Sequence, residues 1–274
     1  MATLMLSPRG GPALGTLLRP LCSWADGLLH GMAQPGTWDH FYTQQDTAGT
    51  PSHFNWFFDY MAISGLLLPA LRECGSPEPS PTRVLDVGCG TSDLGLGLYR
   101  DSPHPVHIAC VDVSPVAIRS LHQLLQEAPP PRHPLSQIHL HVADATDLEG
   151  GGFGDGSFHL VLDKGTCDSL LRCPKGPGQA GRLVAECLQV LCPGGSLLQF
   201  SDEDPDARVP FLEQVGGGWR DSAGSWAHCW HLLLCLHARP ASPGDTNQWG
   251  TGLGGHRRPW AMDMGVGNRG TCPK

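Results

Sequence analysis

Short apolar runs and longer stretches of helical spacing alternate through the middle of the chain. Val84, Leu85 and Val87, then Val106 to Asp112, Ile138 to Val142, Phe158 to Asp163 and Ser196 to Ser201 read as five strands. Their near-continuous apolar character suits a parallel sheet covered on both faces. Leu94, Leu96, Leu98 and Tyr99 predict a helix between the first two strands. Val116, Ile118, Leu121, Leu124 and Leu125 mark the buried face of another, capped by Ser114, with Pro115 in its first turn and Pro129-Pro130-Pro131 as its stop. Leu183, Val184, Cys187, Leu188 and Leu191 lie along a helix from Arg182 to Leu191, stopped at Pro193-Gly194-Gly195. The alternation predicts an α/β fold: a Rossmann-like, doubly wound, mostly parallel sheet with helices on both faces and right-handed crossovers.

Around this frame the pattern is less regular. His40 to Pro51 is polar and reads as a loop, and Phe54 through Leu71 as an apolar-rich helix ending before Gly75. Gly75 to Thr82 is a Pro/Ser linker, Glu149 to Ser157 a mobile connection holding five glycines, and Lys164 to Gly178 a loop at the carboxyl end of the fourth strand. After Gln214 come Gly216-Gly217-Gly218 and a segment rich in Gly, Trp, His and Pro, in which only His228 to Leu236 is apolar enough for a strand or short helix. The expected organisation is one α/β domain over 52–214 and a poorly ordered tail over 215–274, with one edge of the fifth strand exposed.

The first strand breaks into Asp86-Val87-Gly88-Cys89-Gly90-Thr91-Ser92. Gly88 and Gly90 permit positive φ and clear the approach of a ligand, although a tight strand-to-helix turn also uses glycine for packing. Asp112 ends the second strand on the order of twenty residues later, where this fold accepts hydrogen bonds from ribose hydroxyls. A nicotinamide enzyme would normally show G-x-G-x-x-G. Here an acid precedes the glycines and the third glycine is absent.

Val84 to Thr91 resembles the first motif of the class I S-adenosylmethionine (SAM) methyltransferases. Ala143-Asp144-Ala145 resembles the segment that flanks adenine in that family, and Asp163-Lys164-Gly165-Thr166 resembles a subgroup of protein-lysine methyltransferases. Phe54 to Phe58, Ser102 to Val106 and Gln199 to Asp206 are similar to members that methylate mitochondrial citrate synthase, a likeness covering roughly Ser52 to Gln214. The resemblance implies SAM as cofactor, S-adenosylhomocysteine as product and a lysine of citrate synthase as acceptor. Gly88 and Gly90 would approach the methionyl part, Asp86 orient the turn, Asp112 take the ribose, and Asp144 and Ala145 flank adenine. Asp86 and Asp144 have bland roles too, tying down a turn and capping an element. Trp56 or Tyr60 would contact SAM or simply pack. Asp163 would handle the proton of the incoming ammonium or bind the SAM amino group, and the Lys164 carbonyl would help fix the target nitrogen. Ser201 to Asp206 would guide a lysine-bearing segment or stand as a solvated loop. A small-molecule methyltransferase and an impaired isoform that binds without turnover are the alternatives.

A formal charge of -8 without any Lys/Arg cluster interleaved with aromatics argues against nucleic acid as a partner. Eleven cysteines without C-x-x-C pairs read as free thiols of a reducing compartment. His139-x-His141 has no third ligand nearby, so no metal is expected. Residues 1–34 carry Arg9 and Arg19 and no acid before Asp26. They look like a mitochondrial presequence, placing the enzyme in the matrix, or like a disordered tail; their apolar runs are too broken for a secretory signal or a membrane span.

Overall fold

A computed structural model describes residues 31–46, 51–74, 80–173, 176–216 and 229–231. The elements are α1 (Pro35–Asp46), α2 (Tyr60–Glu73), β1 (Thr82–Val87), α3 (Leu94–Asp101), β2 (Val106–Asp112), α4 (Pro115–Glu127), β3 (Gln137–Val142), β4 (Phe158–Lys164), α5 (Thr166–Leu171), α6 (Gly176–Gln189), β5 (Leu191–Phe200), α7 (Pro205–Gly216) and β6 (Cys229–His231). The strands form one sheet in the order β3-β2-β1-β4-β5-β6, and every pairing is parallel.

Alternation along β1 splits its side chains between two cores. Leu85 and Val87 join Val111, Val161 and the α6 residues Leu183, Val184 and Leu188 on one face. Val84 meets Ile108, Leu162, Leu67 of α2 and Leu94 and Leu98 of α3 on the other. Register aligns Val87 with Val111 and Asp163, and Lys164 with Phe200, so the turns after β1, β2, β4 and β5 emerge at one sheet edge. Between β1 and β4 the strand order reverses, the place where open α/β sheets bind ligands.

Several expectations are corrected. The polar stretch from His40 is the second half of α1, which uses Pro35 as its first residue and buries Phe41 and Tyr42. The aromatic stretch from Phe54 is not helical until Tyr60, where Asp59 caps α2 by accepting from the Ala62 amide at 3.0 Å. The loop after β4 contains α5, and α6 begins at Gly176 and ends at Gln189. The glycine-rich connection into β4 is tied down: Glu186 Oε2 accepts from the Leu148 and Glu149 amides at 2.7 and 3.3 Å. Met32, assigned to the presequence, is buried, and its carbonyl accepts from Trp38 Nε1 at 2.7 Å, so the packed unit reaches back at least that far. Residues 1–30, most of the linker before β1 and nearly all of the tail lie outside the described residues. Within the tail, Cys229 to His231 pair with Ser196 to Leu198, giving that part of β5 a parallel neighbour. Among the described residues no helix is long and apolar enough to cross a membrane, and no cluster of three His, Cys, Asp or Glu side chains could hold a metal.

Candidate active site

At the switch point the chain encloses a cavity of about 280 Å³. Gly88 and Cys89 from the glycine turn, Asp112 and Val113 after β2, Asp144 and Ala145 after β3, and Lys164 to Thr166 after β4 all line it. Gly88 and Gly90 have φ of +61° and +53°, a left-handed backbone that side chains rarely tolerate. A Cβ at Gly88 would run into Thr166, whose hydroxyl donates to the Val87 carbonyl at 3.0 Å. Asp112 holds the turn from the next strand: Oδ2 accepts from the Gly90 amide and Oδ1 from the Ser114 amide, each at 2.8 Å. Gly90 is one step back from the cavity, with the Tyr42 hydroxyl where its side chain would be.

A cover from the amino-terminal side closes the cavity. Trp38 and Tyr42 of α1 line it, with Phe54 and Trp56 beside them. Asp39 on the same helix accepts from Ser114 Oγ at 2.6 Å, tying the cover to the cap of α4. Trp56 stands edge-on to Trp38 and Phe54, with ring centroids 6.4 and 5.8 Å apart. Its position depends on a tight turn: the Phe58 amide donates to the Trp56 carbonyl at 2.9 Å across Phe57, which has φ +68°. Such a turn at a non-glycine residue is strained and needs outside support. Lys164 supplies it, its Nζ donating to Asn55 Oδ1 at 3.1 Å and to the Phe58 carbonyl at 3.0 Å. Lys164 therefore enters the site through its side chain, where the resemblance implied a role for its carbonyl.

The remaining sequence candidates divide. Trp56, Asp86, Gly88, Asp112, Asp144, Ala145 and Lys164 converge on the cavity. Asp144 also accepts from the Thr146 amide and hydroxyl, both at 2.8 Å, so it organises its own turn. Tyr60 lies elsewhere, buried below the Arg100 guanidinium. Asp163 is also off the cavity wall. Its Oδ1 accepts from the Thr166 and Cys167 amides at 3.0 and 3.3 Å and its Oδ2 from Gln199 Nε2 at 2.7 Å. Asp163 therefore holds the loop from Lys164 to Thr166 from beneath. Sequence reading missed Met32, Trp38 and Tyr42, and the available signal was the spacing of Trp38, Phe41 and Tyr42 on one helical face.

Three buried acids give the site an unusual protonation behaviour. Burial pushes Asp86 up to about 7, partly opposed by the Lys164 ammonium. Burial likewise lifts Asp112 to about 6, against the Ser114 and Gly90 amides, and Asp163 to about 6, with Asp168 adding to the rise. Raised carboxyl values mean that the folded state holds these protons more tightly than the unfolded chain. Their contribution to stability is greatest below the ordinary carboxylate range and falls as pH rises through about 6 to 7. A ligand that donates to ionised Asp86 and Asp112 reverses that preference. SAM affinity is therefore expected to rise by roughly tenfold or more between pH 5.5 and 8, followed by calorimetry, and to lose most of that rise in Asp86→Asn, the acid that titrates highest.

The residues fit SAM. Asp86 lines the cavity, its buried Oδ2 facing Gly95 of α3 without a hydrogen-bond partner, and the bare Gly88 backbone leaves the approach open. Cradle, ribose-type acid and switch-point cavity together define the class, a SAM-dependent methyltransferase. The profile of a family described as a methyltransferase domain matches residues 84–195. Citrate synthase-lysine N-methyltransferase CSKMT, mitochondrial, of Homo sapiens is 50% identical over 187 residues, 66% of this chain and 75% of that protein. Its namesake in Danio rerio is 40% identical over 193 residues, 70% and 76% of the two chains. EEF1A lysine methyltransferase 4 of Mus musculus is 27% identical over 215 residues, 75% and 76%. This chain belongs to the SAM-dependent protein-lysine methyltransferases, and SAM is its cofactor.

Proposed function

We propose that the chain methylates a lysine of citrate synthase in the mitochondrial matrix. The observation that carries this acceptor is the 50% identity to a citrate synthase-lysine methyltransferase over 187 residues. Bound SAM supplies an electrophilic methyl group on a sulfonium, and in-line transfer to an amine needs mainly alignment and exclusion of water. Asp112 accepts from the ribose hydroxyls, Asp144 and Ala145 flank the adenine, and Gly88 with Cys89 presents bare backbone to the methionyl part. Asp86 places negative charge near the cationic end, with Lys164 as its counter-charge. Gly90 holds Asp112 in place. Trp38, Phe54 and Trp56 offer an apolar wall to the methylene stem of a lysine while its nitrogen reaches inward. That nitrogen must be neutral to react, which costs about 4–5 kcal/mol at pH 7 from an ordinary lysine pKa. Burial against the aromatic wall lowers the cost by disfavouring the charged form.

The test is transfer of labelled methyl from SAM by the purified chain, with citrate synthase and elongation factor 1A offered separately and the modified residue mapped by mass spectrometry. Label on a citrate synthase lysine alone is expected. Label on elongation factor 1A alone would transfer the assignment to the other branch of relatives.

A further inference from the structure

The ionic layer behind the cavity has an unfilled position. Asp168 on α5 is 4% exposed. Its Oδ1 accepts from Ser201 Oγ at 2.5 Å and from Arg208 Nη2 at 2.9 Å, while its Oδ2 is buried and meets no donor. Asp202 follows Ser201, whose hydroxyl bonds Asp168, and pairs with Arg172, whose amide donates to the Asp168 carbonyl at 3.2 Å, so the two carboxyls are neighbours. Burial raises the Asp168 pKa, and Asp202 raises it further against the pull of Ser201 and Arg208. Two adjacent carboxylates favour a cation between them. The chain provides one in part: Arg172 Nη2 pairs with Asp202 Oδ2 at 2.6 Å, with its guanidinium 5.9 Å from the Trp56 ring on the cavity wall.

Arg172 and Asp202 keep 32% and 46% of their side chains exposed, so this pair exchanges with solvent, whereas Arg208 is enclosed. The pair also sits beside the methyl-transfer cavity, because Ser169 and Leu170, one and two residues from Asp168, line it. A basic group arriving here replaces one exposed ion pair by another and additionally gives Asp168 Oδ2 the donor it lacks. That added contact is a reason for a substrate to displace Arg172, beyond the even exchange of surface charges.

We propose that Asp168 and Asp202 form a recognition subsite for a lysine or arginine side chain that neighbours the target lysine on the protein substrate, with Arg172 occupying it in the absence of substrate. The subsite deepens the protein-lysine reading and uses citrate synthase as its first probe. Asp202→Asn and Arg172→Ala, both at exposed positions, are compared with the unaltered full chain for KM and kcat toward citrate synthase at two salt concentrations, and for SAM affinity by calorimetry. Asp202→Asn is expected to raise KM about tenfold, to weaken its salt dependence, and to leave kcat within about twofold and SAM affinity unchanged. Arg172→Ala is expected to lower KM by removing the internal competitor. Unchanged KM in both variants, or a loss of SAM affinity matching the change in KM, overturns the subsite. Should the unaltered chain leave citrate synthase unlabelled, the acceptor assignment fails by itself. The subsite is then decided by fluorescence anisotropy with two short lysine-centred peptides, flanked by arginines or by alanines. Preference for the arginine peptide that Asp202→Asn abolishes supports it, and equal affinity overturns it.

Discussion

Arg208→Met is expected to destabilise the folded protein by about 3–5 kcal/mol, lowering its melting temperature by roughly 10 °C. Arg208 is 1% exposed and is the hub of the buried layer under the site. Its guanidinium donates to Gln199 Oε1 and Asp168 Oδ1, each at 2.9 Å, to Ser201 Oγ at 3.1 Å and to Glu203 Oε2 at 2.5 Å. Gln199 passes the connection to Asp163. Methionine fills similar volume, so the expected loss comes from leaving Asp168 buried without its counter-charge rather than from a cavity. Differential scanning calorimetry reads the effect. Replacing Asp168 by Asn in the same chain should recover part of the loss, because the stranded charge is then gone; a double variant no more stable than Arg208→Met would show that packing, not charge, is at stake.

Gly88→Val is expected to weaken SAM binding by more than about a hundredfold, equivalent to ~2.7 kcal/mol. The residue has φ +61°, and a β-branched side chain there adds local strain of about 1–2 kcal/mol. The new atoms would also meet Thr166, whose hydroxyl fastens the β4 loop to the Val87 carbonyl. Relief requires moving either the glycine turn or that loop, and both line the cavity. Calorimetric titration measures the loss, with circular dichroism showing that the sheet survives. Val at Gly178, where a Cβ has open space, is the control and should bind SAM normally.

The sheet was legible because its strands declare themselves locally: each is a short apolar run closed by glycine, proline or an acid. Asp112 was legible for the same reason, being the last residue of such a run and fixed in register with Val142. The cover was less legible. The helix from Pro35 carries Trp38, Phe41 and Tyr42 at helical spacing, but His40, Thr43, Gln44, Gln45 and Asp46 dilute the pattern. Nothing in Phe54 to Phe58 announces a turn, because the positive φ falls on Phe57 and not on a glycine. It persists through Lys164, which is 109 residues from Asn55 in sequence. Asp163 drew attention as a strand-end acid and Arg208 drew none, because only the assembly of β4, β5, α5 and α7 shows that both are sealed into the layer beneath. In the last stretch, rich in Gly, Trp, His and Pro, the apolar run from His228 to Leu236 was the legible part, and its residues Cys229 to His231 pair with the edge of β5.

The most direct test of the account is a calorimetric titration of SAM into the full chain at pH 8, with Gly88→Val alongside. One stoichiometric site of micromolar affinity, abolished by the substitution, is the predicted result. A folded chain that takes up no SAM, or a Gly88→Val variant that binds it as well as the unaltered protein, would contradict the assignment of this cavity as the methyl donor site.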